Sequence, residues 1–439
     1  MFVTEALRLP ARLDRWSLKD ARVPHCLLAG PMGMADAEGL VRVDVTITSG
    51  VISALAPASD TPSDAPTFHA PGLVLPTFVD AHTHLDKGHI ARRAPSDGTF
   101  AGAIEAVPRD REAHWSAPDV EARMHFAIAA AYAYGSRAIR THLDCKAEQT
   151  RISYAVFAKQ RDAWRRKVEL QASPLFPIDL ALDDAHMHDV VDMVAEFGAC
   201  LGAVTYPGPN LQSGLDRLFR LAGDRGWDLD FHADETNDPR VNTLATIAQT
   251  ALDHQFEGRI LCGHCCTLSL LPDDERARTI DLVAETGLSV VSLPLCNMYL
   301  QDRVAGRTPR WRGVTALHEL KRAGVPVIVA SDNTRDPFYA YGDLDMAEVW
   351  RAATRTAHLD HPYGDWPASV STNPANALGL PNARLAPGVP ADFIVVPARS
   401  LCEFMARPAL PRTVVRSGRP IEAVPPAYAA LDHLQGLRP

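Results

Sequence analysis

Leu73-Val74-Leu75-Pro76-Thr77-Phe78-Val79-Asp80-Ala81-His82-Thr83-His84 runs from a purely apolar stretch into a polar end that carries two histidines two residues apart. A short apolar run with no alternation reads as a strand buried on both faces, the usual state of a parallel strand. Residues two apart on a strand share a face, so His82 and His84 point the same way. Seven further runs repeat the design: Ala138–Leu143, Val168–Ser173, Cys200–Tyr206, Asp228–His232, Arg259–Cys262, Ser289–Leu293 and Val325–Ala330. Amphipathic helices are expected between them, over Asp119–Tyr134, Asp273–Thr286 and Val314–Ala323 among others. Eight strand-then-helix units predict a closed (β/α)8 TIM-type barrel, with a doubly wound open sheet as the alternative. The barrel is favoured because the polar residues gather after the strands, where barrel enzymes hold their chemistry.

The two ends of the chain read differently. Val41, Val43, Val45 and Ile47 alternate with polar residues up to a turn at Ser49-Gly50, and Phe393–Val396 and Thr413–Val415 lead to a second turn at Ser417-Gly418. Period-two alternation ending in a Gly turn is a hairpin signal. The expected α/β organisation is therefore a small β-sandwich domain built from both termini, residues 1–70 and 385–439, around a barrel spanning 71–384. A length of 439 residues accommodates one such barrel, commonly about 250 residues, plus one smaller domain.

Composition narrows the function. A net charge of −9 without any long basic run argues against nucleic acid or an anionic membrane as partner, since phosphate binding draws on clustered Lys and Arg. The N-terminal residues lack a basic segment followed by an apolar one, and the longest apolar runs are too short to span a bilayer. Eight scattered cysteines suit reduced thiols in the cytosol, and Cys262-Gly263-His264-Cys265 lacks the second pair a zinc ribbon needs. A cytoplasmic enzyme acting on a small molecule is the expectation.

Four strand ends carry metal-binding chemistry. His82 and His84 follow the first strand, His232 closes the fifth with Glu235 three residues on, His264 closes the sixth, and Asp332 follows the eighth. Singly each has an ordinary explanation: a core histidine, a solvated acid, a helix N-cap. Together they require four apolar strands each to present a His or Asp at the same end, and a shared metal explains that better. His82, His84, His232 and Asp332 are the expected ligands of a divalent cation that activates a water. Glu235 is then placed as the proton shuttle, His264 as the group that stabilises a tetrahedral oxygen, and Asp332 as a second proton carrier toward a leaving amine.

These residues resemble the amidohydrolase superfamily, and the closer resemblance is to its mononuclear, cytosine deaminase-like branch. That likeness rests on His82-Thr83-His84, Arg140-Thr141-His142-Leu143-Asp144, Glu169-Leu170-Gln171, His232 with Glu235, and Gly263-His264. It continues through Pro294-Leu295-Cys296-Asn297-Met298-Tyr299-Leu300-Gln301, Arg312-Gly313-Val314, Ser331-Asp332 and Asp336-Pro337-Phe338-Tyr339. The resemblance covers nearly the whole chain. It implies His82, His84, His232 and Asp332 as ligands of one metal ion, zinc or iron, with Glu235 and His264 as catalytic groups, and a homo-oligomer. The binuclear branch carries a Lys after its fourth strand; Cys200–Tyr206 has none, which favours one metal.

The chain departs from cytosine deaminases where substrate binds. Their substrate-pairing Gln after the third strand is replaced by Leu175-Phe176-Pro177-Ile178, and Asn333 stands where the second Asp is expected. Leaving a buried polar edge of the substrate unpaired costs about 1–3 kcal/mol. Pro177, Ile178, Asn333, Phe338 and Lys87 are thus the candidate substrate contacts, Lys87 as replacement donor and Phe338 as a stacking surface. The expected reaction is hydrolytic deamination of an aminated pyrimidine, purine or pterin-type base. The alternatives are removal of an N-alkylamino group from a triazine, as in N-isopropylammelide hydrolysis, or opening of a cyclic amide. A non-catalytic scaffold is disfavoured because no ligand position is lost. The zinc nucleoside deaminase signature has no usable counterpart.

Overall fold

The computed structural model describes residues 13–69, 72–198, 200–381 and 383–435. It divides into two compact units. One comprises the described residues up to Val79 with Tyr132–Arg137 and His358–Pro425. The other comprises Asp80–Ala131, Ala138–Ala357 and the described residues from Pro426.

The first unit is organised by an eight-stranded sheet drawing on both ends of the chain. Leu40–Thr48 lies antiparallel between Arg15–Pro24 and Val51–Pro57. Val41, Val43, Val45 and Ile47 are all buried, while Arg42 between them is exposed, so the alternation read in the sequence is the inner and outer face of this strand. Ser49 and Gly50 both take positive φ, 50° and 81°, and so do Ser417 and Gly418, 46° and 72°. Two consecutive positive φ values match the right-handed twist of the flanking strands, which is why these two dipeptides close hairpins. Both terminal segments meet in this sheet through Phe393–Val396, which pairs with Thr413–Arg416 on one side and Leu73–Pro76 on the other.

That last pairing corrects one expectation. The run expected as a single strand over 73–79 is two. Leu73–Pro76 belongs to the terminal sheet, and Phe78–Thr83 starts a separate one. Pro76 has no N–H to carry a ladder onward, so the chain changes sheets at Thr77.

The remaining strands form two further sheets. Cys200–Val204, Asp228–Ala233, Ile260–His264, Ser289–Ser292 and Val327–Val329 form a parallel sheet in sequence order. A three-stranded sheet joins Phe78–Thr83, Ser136–Asp144 and Glu169–Leu175, the last two parallel. Single parallel bridges link Pro177 to Val204 and Thr83 to Asp332. Helices Glu148–Trp164, Asp184–Phe197, Leu211–Arg225, Thr243–Asp253 and Asp273–Thr286 alternate with the strands. The fold is mixed α/β with parallel sheets. Ile260–His264, Ser289–Ser292 and Val327–Val329 are buried at every position, which explains why their centres are apolar without alternation.

Candidate metal centre

The strand ends converge. His82 lies within the Phe78–Thr83 strand and His84 just beyond it, His232 is the penultimate residue of Asp228–Ala233, and Asp332 follows Val327–Val329 by three residues. Local hydrogen bonds fix these ends against one another. Asp332 N–H donates to His82 O at 2.8 Å, Thr83 Oγ1 donates to Asp332 O at 2.7 Å, and Ser331 N–H donates to the buried Asp80 carboxylate. Asp332 takes φ 63°, His264 69° and Asp234 56°. Such left-handed turns at non-glycine residues cost energy and gather at functional sites. Asp234, between His232 and Glu235, accepts from Thr243 N at 2.7 Å and Leu244 N at 3.0 Å, so it caps the helix that follows rather than facing the site.

His82, His84, His232 and Asp332 bring ligand atoms close to one another. His82 Nε2 lies 3.1 Å from His232 Nε2 and 3.7 Å from Asp332 Oδ1. His84 Nε2 lies 3.4 Å from His232 Nε2 and 3.1 Å from Asp332 Oδ1. A tetrahedral metal about 2.0–2.1 Å from each ligand holds ligand atoms about 3.3–3.4 Å apart, the middle of the observed range. Burial, reinforced by neighbouring imidazoles or the Lys87 ammonium, holds all three histidines well below their ordinary pKa. They are neutral and present lone pairs, as ligands must. Both Asp332 oxygens are buried with no hydrogen-bond partner among the described residues. Burial raises the Asp332 carboxyl to about 7. A cation would satisfy those oxygens and restore the ionised form. The donor set fits a divalent metal ion.

A fourth histidine enters the cluster that the strand-end reading left without a role. His142, on Ser136–Asp144, groups with His82, His84 and His232, ligand atoms within 4.8 Å of one another, and its ring is tilted 39° to that of His82 with centroids 4.0 Å apart. Its Nε2 lies 3.1 Å from Asp230 Oδ1, and the other Asp230 oxygen accepts from Arg140 Nη1 at 3.1 Å. Arg140 and His142, two apart in a fully buried stretch, were the available signal.

Around this centre stand the remaining candidates. Glu235 Oε1 lies 3.3 Å from His264 Nδ1, and His264 Nδ1 lies 4.0 Å from Asp332 Oδ2. Burial first, then the Asp332 charge, pushes the Glu235 carboxyl well above its ordinary value, against the pull of Lys87. His264 Nε2 is buried without a partner among the described residues. Burial holds the ring to about 3, so it is neutral. Asn297, which strand-end reasoning did not single out for chemistry, donates to Glu235 Oε1 at 3.1 Å and touches His264 Nδ1 at 3.0 Å.

The substrate candidates each have close neighbours. Lys87 is buried, paired to Asp144 at 2.8 Å, and its ammonium lies 5.4 Å from the centroid of Phe338. Asn333 donates to Asp336 at 2.7 Å and accepts a weak thiol contact from Cys296. Pro177 bridges to Val204, and Ile178 packs on Gly214 of the Leu211–Arg225 helix.

The amidohydrolase family model matches residues 126–421. The chain is 50% identical over 430 residues to a pterin deaminase of Rhizobium rhizogenes, an alignment covering 97% of this chain and 98% of that protein. It superposes with a TM-score of 0.80 on the 5-methylcytosine deaminase of Klebsiella pneumoniae, at 23% identity, with 92% of this chain and 97% of that one covered. A zinc-bound adenosine deaminase from Xanthomonas campestris superposes with a TM-score of 0.66 at 19% identity, covering 96% and 97%. Among the described residues no helix is long and apolar enough to cross a membrane.

Proposed function

Because the chain belongs to the amidohydrolase family, we propose that it deaminates a pterin or closely related fused aminated heterocycle at a single divalent metal ion. The carrying observation is the 50% identity to a pterin deaminase along 97% of the chain. The chain is a metal-dependent hydrolase of carbon–nitrogen bonds in a heterocyclic base. In this reading His82, His84, His232 and Asp332 hold the ion, zinc or iron. His142, engaged with Asp230, lies behind them. Once bound, the ion lowers the pKa of a water to about 7, making hydroxide available at neutral pH.

The chain's own groups carry the protons. Glu235 takes a proton from the attacking water and delivers it to a ring nitrogen. His264 Nε2–H faces the oxygen that becomes negative as the carbon turns tetrahedral. Asp332 passes a proton to the departing amine, so that water and the amino-heterocycle leave as the oxo-heterocycle and ammonia. Lys87 supplies the donor that the missing Gln would have given to a ring carbonyl, Phe338 offers a face to a flat ring, and Asn333, Pro177 and Ile178 complete the walls.

The same proposal covers the architecture. The two parallel sheets together hold eight strands. The bridges at Pro177–Val204 and Thr83–Asp332 fall at the two seams between them, which supports a closed (β/α)8 barrel. The sheet drawn from both termini is read as the small β-sandwich domain, with the division expected at residues 1–70 and 385–439. A homo-oligomer and a cytoplasmic location complete the reading.

The test is ammonia release by metal-replete protein from pterins, cytosine, 5-methylcytosine, isocytosine, isoguanine, creatinine and aminotriazines. A pterin is expected to respond most strongly, to fall silent when a chelator strips the metal, and to recover with zinc or ferrous iron. In Lys87→Met the KM for that substrate should rise by about 5- to 150-fold, the worth of one polar contact. An alkylamine from an N-alkylaminotriazine, or a ring-opened acid, without ammonia would overturn the proposal.

A further inference from the structure

Asn297 lies on the short helix Pro294–Leu300, is 1% exposed, and faces two proposed catalytic groups at once. Its amide nitrogen lies 3.1 Å from Glu235 Oε1 and 3.0 Å from His264 Nδ1, and those two atoms lie 3.3 Å apart. A primary amide nitrogen has two N–H donors and accepts nothing, whereas its oxygen only accepts. Turned over, the amide would set its oxygen against Oε1 of the ionised Glu235 carboxylate that accepts the water's proton, acceptor against acceptor. With the nitrogen inward, one N–H serves Glu235 and the other serves His264, and His264 Nδ1 must be the accepting atom.

A neutral imidazole carries one proton, so an accepting Nδ1 leaves that proton on Nε2. Nε2 is the atom that is buried and unpartnered among the described residues. The rival arrangement has His264 Nδ1–H donating straight to Glu235 across the 3.3 Å gap. It would leave Nε2 as a bare lone pair, unable to stabilise a developing oxyanion.

We propose that Asn297 is a positioning residue: its amide fork locks His264 in the Nε2–H tautomer and ties down Glu235 Oε1, leaving Oε2 as the oxygen that moves protons. The fork works with bonds to the main chain of the same residues. Thr315 Oγ1 donates to His264 O at 2.7 Å and Gln301 Nε2 donates to Glu235 O at 3.4 Å. Gly313 abuts both Asn297 and Gln301, where a Cβ would come within 3.3 and 2.5 Å of them, so the backbone packs closely behind the fork. The inference rests on the deaminase reading for the roles of Glu235 and His264, and on geometry alone for the tautomer.

The test has two arms. In zinc-loaded protein labelled with [15N]histidine, the His264 signals, assigned by difference from His264→Gln, should show a bare Nδ1 and a protonated Nε2, and Asn297→Ala should lose that preference. In kinetics, N297A should lower kcat by about 10- to 100-fold with KM, metal content and melting curve little changed, and N297S should recover part of it. In the H264Q background, removing Asn297 should cost no more than about threefold further, because the two residues act as one unit. An Nδ1–H tautomer in the unmutated protein, or a full N297A loss persisting in H264Q, overturns the inference. Absence of ammonia release from every heterocycle by the unmutated protein would instead defeat the deaminase reading, and the 15N result would still decide the tautomer.

Discussion

Glu235 and Asp234 are adjacent carboxylates put to opposite uses, and only their surroundings separate them. Asp234 is consumed by the N-terminus of the Thr243–Asp253 helix, with two backbone N–H groups and the Thr243 hydroxyl on its oxygens. Glu235 receives one amide N–H from Asn297, and burial together with Asp332 raises its proton affinity. A carboxyl that holds a proton more readily than usual suits a shuttle working near neutral pH. Glu235→Gln keeps the side-chain volume and the hydrogen bond but cannot carry the proton. It should retain metal and thermal stability while losing about 10²- to 10⁴-fold in turnover, checked by steady-state kinetics beside metal analysis. Glu235 was legible in the sequence because it follows the strand-end His232 by three residues. His142 and Asn297 gained their roles only from contacts. Asn297 is 62 residues from Glu235 along the chain, and no local pattern announces such a pairing.

At the scale of elements, strand ends do the positioning, and close approach between strands sets how accurately. Gly263, one residue before His264, sits so near the first metal-site strand that a Cβ there would lie 2.7 Å from His82 Cε1 and 2.9 Å from Nδ1. Neither atom belongs to a flexible chain end, because the ring is enclosed by His84, His142, His232 and His264. Gly263→Ala should displace the His82 imidazole and weaken metal binding by about 10- to 100-fold, read as the free-metal concentration needed to restore activity and as metal retained on dialysis. Wild-type metal retention in that variant would mean that His82 is not a ligand. The buried strands were legible because burial on both faces writes a continuous apolar run. The change of sheet at Thr77 was not, since residues 73–79 read as one nearly continuous apolar run and only the strand partners of its two parts differ.

For the whole molecule, stability should depend on acid through a residue outside the metal shell. His89 is buried against Phe126, with ring centroids 4.8 Å apart, and both ring nitrogens lack partners among the described residues. Burial, then the charges of Arg335 and Arg123, lower its pKa to about 3 from an ordinary 6.5. Below pH 6.5 the unfolded chain takes up a proton that the folded chain refuses until about pH 3. The contribution of His89 is therefore complete above pH 6.5 and is lost as pH falls through that window, by at most about 1.4 kcal/mol per pH unit. His89→Asn accepts the observed φ of 62° and removes the titration, so its urea-unfolding stability should fall less between pH 6.5 and 4 than that of the unmutated protein. An identical decline in both would exclude His89 as a source. The sequence by itself determined the strand-and-helix rhythm and the two-ended β segment, and it singled out six candidate site residues, His82, His84, His232, Glu235, His264 and Asp332, because burial and hairpin turns impose local patterns that one chain segment records. Tertiary structure alone decided that His142 joins the cluster of His82, His84 and His232, that Asn297 spans Glu235 and His264, and which sheet receives Leu73–Pro76. Those facts are distances between residues far apart in sequence, and a side chain's chemistry names what it can bind without naming its neighbour.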